Sequence, residues 1–196
     1  MIKIGITGGI GSGKSVVASL FNLYGIPVYV ADTESKKLTA TSPIIKKQLI
    51  ELFGEDLYTE QGLNKKLLAS HIFGNPECLK QVNAIIHPEV NRHFTEWAKS
   101  QSSELCAIES AILFESGFNK MVDKSIMVYA PQNLRIERAL QRDNTSREDI
   151  VNRINSQLPD ETKKEWSDYV IHNDNRRALL PQIEIFLSSL RTSPTE

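Results

Sequence analysis

Residues 5–15 read GITGGIGSGKS, five glycines in eleven positions. Glycine loses more conformational freedom on ordering than any other residue, so such a run is unfavourable inside a helix or a strand. Its flanks are regular. Ile2-Lys3-Ile4-Gly5-Ile6-Thr7 predicts a short buried strand, and Val16-Val17-Ala18-Ser19-Leu20-Phe21 predicts a helix with an apolar face. The glycines therefore form a tight strand-to-helix connection, of the kind needed where the backbone itself must approach something closely. Gly8-Gly9-Ile10-Gly11-Ser12-Gly13-Lys14-Ser15 fits G-x-x-x-x-G-K-[ST] without a mismatch. In such a loop, glycines reach backbone angles closed to other residues and turn successive N–H groups inward around phosphate oxygens. A helix opening near Lys14 adds free N–H donors and a partial positive end. Lys14 brings a full charge to the β- and γ-phosphates, and the Ser15 hydroxyl can ligate Mg²⁺. A chance match is the alternative, but it does not account for strand and helix flanking the loop in the required order. The glycines thus make room for a nucleoside triphosphate.

Beyond the loop, short β-rich runs recur at 2–7, 27–31, 105–109, 125–130 and 169–172. They are continuously apolar rather than alternating, which predicts strands of a parallel sheet buried on both faces. Helical patterns cover 14–24, 133–142, 147–157 and 176–190. Residues 33 to about 100 hold no convincing strand, only helical periodicity broken at Pro43, Gly54, Gly62, Gly74, Pro76 and Pro88. The expected fold class is α/β: a P-loop NTPase core with a five-stranded parallel sheet flanked by helices, plus a helical insertion and a lid. The domains are then 1–32 with 101–196 as nucleotide-binding core (lid about 138–150), and 33–100 as insertion. The tail Arg191–Glu196 reads as disordered.

Charge narrows the partners. The formal net charge is −1, and the insertion balances nine basic against nine acidic residues between Thr33 and Glu104. Neither nucleic acid nor an anionic membrane is an expected partner. Cys78 and Cys106 both sit in apolar patterns and point to a reduced chain. No signal-peptide layout or bilayer-spanning stretch is present, which predicts a cytoplasmic protein.

Two carboxylates fall where ligands of open parallel sheets bind, beyond the strand C-termini. Asp32 follows Val28-Tyr29-Val30-Ala31 and could accept a proton from an acceptor hydroxyl; the competing reading is a helix N-cap. Glu109 ends the third strand and could hold Mg²⁺ through water, or be a solvated strand end. Arg135, Arg138 and Arg142 recur at three- and four-residue spacing on one helix, followed by a polar hinge, Asp143-Asn144-Thr145-Ser146, and a new helix from Arg147. They read as a lid closing over transferring phosphates or as plain surface charge. A GTP-driven switch is disfavoured: Asn119-Lys120-Met121-Val122-Asp123 is one residue too long for the base-reading Asn-Lys-x-Asp, and no Asp-x-x-Gly occurs.

With these residues in place, the chain resembles the dephospho-coenzyme A kinases from Ile2 to about Leu187. The marks are GITGGIGSGKS, VAD, FGEDL…QGLNKKLLASHIF, IIHPEV, AILFESGF, RIERALQRD and DYVIHND. The resemblance implies a nucleoside-monophosphate-kinase-like core and transfer of the ATP γ-phosphate to the 3′-hydroxyl of dephospho-coenzyme A, the last step of coenzyme A synthesis. It implies that Gly11, Ser12, Gly13, Lys14, Ser15 and Val16 hold ATP and that Arg138 and Arg142 act from the lid arm. Asp32 would be the catalytic carboxylate, acting with Lys14 and Arg142. Substrate would meet Asp32, Lys65 and His87; Mg²⁺ would meet Ser15 and Glu109. Read from the residues alone, His87 before a proline is a helix-end residue. The family commonly has Asp-Ala-Asp where this chain has Val30-Ala31-Asp32, an Asp-Arg pair where it has Asn64-Lys65, and proline where it has Ala111. Lysine keeps the charge of that pair without its bidentate grip. Two other readings remain: a nucleoside or nucleotide kinase, and a P-loop regulatory protein that binds nucleotide without transferring phosphate.

Overall fold

The computed structural model describes residues 1–143 and 145–191. Asn144 of the expected hinge and residues 192–196 of the expected disordered tail lie outside the described residues; Arg191, the first residue of that tail, instead ends the last helix. In chain order, β1 (Ile2–Thr7) leads through the glycine loop into α1 (Lys14–Leu23), and β2 (Val28–Val30) follows. Next come α2 (Ala31–Thr41), α3 (Pro43–Phe53), β3 (Tyr58–Thr59), β4 (Gly62–Leu63), α4 (Lys65–Ile72) and α5 (Pro76–Lys99). The chain continues through β5 (Leu105–Glu109), β6 (Lys124–Tyr129), α6 (Gln132–Arg142), α7 (Arg147–Asn155), α8 (Asp160–Trp166), β7 (Tyr169–His172) and α9 (Leu179–Arg191). Two compact units result, one from Met1–Tyr29 with the chain from Gln101 onward, the other Val30–Ser100.

The first unit is built on a five-stranded parallel sheet in the order β2-β5-β1-β6-β7. Register is set by pairs such as Ile6 with Glu109, Thr7 with Met127 and Tyr129 with His172. The run pattern of the strands is explained by burial on both faces. Ile4, Ile6, Ala107, Ile126, Val128 and Ile171 form a core with Val17 and Phe21 of α1 and Ile183 and Phe186 of α9. Phe21 is wholly buried, and a side chain of this kind contributes about 1.5–3 kcal/mol on leaving water. Asp168 fixes the entry of β7: the amide and hydroxyl of Ser125 both donate to its Oδ2 at 2.8 Å. Burial pushes the Asp168 carboxyl pKa up, but the Ser125 hydrogen bonds and Lys124 outweigh this and hold it below the ordinary value.

The second unit gathers α2, α3 and α4 against α5. Most expected breaks become helix starts or stops. Ser42 caps α3 by accepting from the Ile45 amide at 3.4 Å, with Pro43 at the first helical position; Asn75 caps α5 in the same way, ahead of Pro76. Two expectations for this segment fail. It does hold strands, the two-residue pair β3–β4, too short to show any alternation. And α5 runs through Pro88 without stopping, because its apolar stripe, Cys78, Val82, Ile86, Val90, Phe94 and Ala98, is buried on both sides of the proline. Packing overrides the missing N–H. His87 is therefore inside a helix, not at its end.

Candidate active site

At the C-terminal edge of the sheet, β1 ends at Thr7, β5 at Glu109, β6 at Tyr129, shortly before α6, and β7 at His172. The glycine loop lies among them. Gly8, Gly11 and Gly13 have φ of 147°, 77° and 94°, angles that favour glycine. Steric room is just as tight. A Cβ at Gly8 would meet the Val128 carbonyl, one at Gly11 the backbone of Arg135, and one at Gly13 the Asn173 amide. That amide donates to the Ser12 carbonyl at 2.8 Å and ties the loop to the end of β7. The glycines thus make room for the protein's own chain, a packing reason that the motif does not reveal. Ile10 leaves the loop to pack on Ile136, Ala139 and Ile150, so the loop shares a small core with α6 and α7.

Lys14 opens α1 and donates to the Gly9 carbonyl at 3.3 Å, folded back over its own loop. Ser15 and Val16 follow, exposed, in the first turn. Glu109 is 8% exposed, so the solvated strand-end reading is wrong. On α6, Arg138 donates through Nη2 to Asn175 Oδ1 at 2.6 Å. Asn175 holds a left-handed φ of 63°. Arg142 stands at the helix end, exposed, paired with Asp143 at 2.8 Å. That contact raises the Arg142 pKa, against the opposing effect of burial. Buried Ser12 Oγ, Arg135 Nε and Arg138 Nη1 have no hydrogen-bond partner. An unmet buried donor costs about 1–3 kcal/mol, and donors clustered on and beside such a loop suit a polyanionic ligand.

Arg135 is the residue whose place the sequence does not disclose. It shares a helix face with the other two arginines, yet it is 2% exposed and bridges to Asp160 at 2.7 Å. Its helix partner α8 carries no long apolar run and is absent from the sequence reading. One turn along α8, fully buried Lys163 donates to the Ala111 carbonyl at 2.7 Å and pairs with Glu115 at 2.9 Å. Ala111 serves through its backbone, so proline there is not required. Burial pushes the Asp160 carboxyl up, against the pull of Arg135 and Lys163, and its pKa lies above the ordinary value. A cavity of about 430 Å³ lies beside this pair, lined also by Tyr129, Gln132 and Leu158.

The other expected residues belong to the helical unit, on three different helices. Asp32 is exposed in the first turn of α2, whose N-cap is Val30 with no side-chain bond. The capping alternative therefore fails, and a carboxylate near a helix N-terminus remains. Lys65 is exposed at the first position of α4, where Asn64 caps by accepting from the Leu67 amide at 3.1 Å. His87 is half-buried in α5, and burial lowers its pKa. Among the described residues, no cluster of three or more His, Cys, Asp or Glu side chains is placed to hold a metal. Cys78 and Cys106 are buried free thiols. No helix among the described residues is long and apolar enough to cross a membrane.

Comparison with known proteins gives consistent matches. A family model described as Dephospho-CoA kinase matches residues 2–178. A dephospho-CoA kinase of Bacteroides fragilis (strain YCH46) is 52% identical over 183 residues, 93% of this chain and 89% of its own. One from Porphyromonas gingivalis (strain W83) is 46% identical over 193 residues, 98% and 96% of the two chains. A crystal structure from Thermus thermophilus, 32% identical, superposes with a TM-score of 0.81 over 100% of this chain and 98% of that one.

Proposed function

The chain belongs to the dephospho-CoA kinase family, and from that membership we infer how its residues divide the work of the reaction. It transfers the γ-phosphate of ATP to the 3′-hydroxyl of dephospho-coenzyme A, giving coenzyme A and ADP, the final step of coenzyme A synthesis. The loop Gly11–Val16 holds the triphosphate with backbone N–H groups and the N-terminus of α1, and Lys14 neutralises the β- and γ-oxygens. The 3′-oxygen attacks the γ-phosphorus in line; the bond to the β-bridging oxygen breaks, and Asp32 accepts the hydroxyl proton. Arg138 and Arg142, from the lid arm, stabilise the charge that spreads over the transferring group. Lys65 and His87 hold the coenzyme on the helical unit.

Ser15 and Glu109 would hold Mg²⁺, the hydroxyl directly and the carboxylate through water. Both donors are oxygens, as a hard cation requires. Bound there, the ion would offset the charge of the phosphate oxygens. Two buried free thiols support a reduced, cytoplasmic setting.

The observation that carries this reading is the glycine loop, with three left-handed glycines ahead of Lys14 and a helix start. The test is initial ADP release at matched concentrations of dephospho-coenzyme A, adenosine and AMP. The full precursor is expected to react far better, because remote contacts to its long arm orient the hydroxyl. The product is checked as the 3′-phosphate by mass and phosphorus NMR. Equal turnover of AMP would assign the helical unit some other role.

A further inference from the structure

We infer that Arg135, held by Asp160, is the positioning residue of the phosphate loop, and that Gly9 is a glycine in order to admit it. Gly9 occupies an unspecified position of the loop motif, where any residue is permitted. Unlike Gly8, Gly11 and Gly13, it does not adopt a left-handed φ, so backbone conformation does not demand glycine there. What excludes a side chain is Arg135. A Cβ at Gly9 would run into the guanidinium, lie 2.7 Å from its Cζ and stand 3.1 Å from an oxygen of Asp160. At Gly11 a Cβ would lie 2.8 Å from the Arg135 carbonyl carbon and 2.9 Å from its Cα. The side chain therefore covers the loop at Gly9 while its backbone covers it at Gly11.

The physical consequence is preorganisation. A loop this rich in glycine has many accessible conformations, and ordering them opposes binding. A planar, permanently charged guanidinium packed on the loop removes those alternatives beforehand. The wedge is itself braced: the 2.7 Å ion pair to Asp160 starts α8, and Lys163, one turn on, fastens that helix to Ala111 and Glu115. Arg135 thereby links the loop to the segment that follows Glu109. It acts through the loop, and it makes no contact of its own with the reacting atoms in this assignment.

The inference rests on the reading of Gly8–Ser15 as the ATP loop, and the experiment separates the two. ATP affinity is measured by calorimetry on the full chain, with melting temperature and KM for both substrates, for Gly9→Ala, Arg135→Ala and the double variant. Each single change is expected to weaken ATP binding about tenfold, and the double variant no further than Arg135→Ala alone, as coupled neighbours do. KM for dephospho-coenzyme A should stay unchanged, and Asp160→Asn should fall between wild type and Arg135→Ala. If Arg135→Ala does not fold, Arg135→Gln completes the same cycle with a shorter polar side chain. Wild-type affinity in Gly9→Ala overturns the inference. So do additive losses in the double variant, or an Arg135 change that lowers only the melting temperature. Lys14→Ala is the control: normal ATP affinity there overturns the loop reading and this inference with it. Loss in Lys14→Ala, beside unchanged affinity in the Gly9 and Arg135 variants, overturns this inference alone.

Discussion

Asp32 stands just after β2, in the first turn of α2. Its place after a strand allows a cap or a catalytic carboxylate, and the backbone at Val30 removes the cap. Asp32→Asn keeps the shape and the hydrogen-bonding capacity but cannot accept a proton. A general base lost in this way lowers kcat by ~10²–10⁴-fold, with little change in KM, since the interaction belongs to the transition state. Steady-state ADP release checks it, and an unchanged kcat would remove Asp32 from the mechanism. Arg142 differs from Arg135 despite equal chemistry. Its exposed pairing with Asp143 is worth little in water, so the guanidinium is free to move to developing charge. Arg142→Ala should depress kcat more than ATP affinity; the reverse split would mark it as a ground-state binder.

Among the elements, α5 joins sequence pattern to packing most directly. Apolar residues at every fourth position, from Cys78 to Ala98, put one stripe in the core of the helical unit. Buried Glu89 is balanced by Arg92 at 3.1 Å. Pro88 is exposed and leaves the Ala84 carbonyl without its helical donor. Pro88→Ala restores that donor and should stabilise the protein by up to about 3 kcal/mol, the interior penalty of proline. Urea denaturation measures the gain, and KM for dephospho-coenzyme A reports whether the proline serves His87. The short α8 shows the opposite case. It has little apolar periodicity to announce it, and its place comes from buried Lys163 and from half-buried Asp160, the partner of Arg135.

Across the whole molecule, titration links both units to pH. Burial lowers the pKa of His87 in the helical unit, and burial with nearby Arg177 lowers that of His172 in the core unit. Protons then bind the unfolded chain in preference, so stability is full above the unfolded value of 6.5. It falls as pH drops through that value and levels off below the folded pKa values. Asp168 adds a second loss at lower pH, since its folded pKa is depressed. Urea midpoints at pH 7.5, 6 and 5 should decline in the wild type and decline less in His87→Gln. An identical slope in the variant would clear His87 of any part in it.

The sequence by itself determined the strands of the five-stranded sheet and the helix start behind the glycine loop. Continuous apolar runs, a glycine-lysine-serine motif and proline or asparagine punctuation are local signals, and each is written in neighbouring residues. That is why β1, β5 and β7 fall at their expected bounds, and why Lys14 and Ser15 stand at the start of a helix. Only the tertiary structure decided which charges are buried. Arg135, Arg138 and Arg142 are equivalent along the chain, yet one is packed on the loop, one is held by Asn175 and one faces solvent. The same holds for Glu109, for Lys163, and for the helix that passes through Pro88. Burial depends on what residues far apart in the chain bring to the same place, and desolvation acts on the place rather than on the residue type.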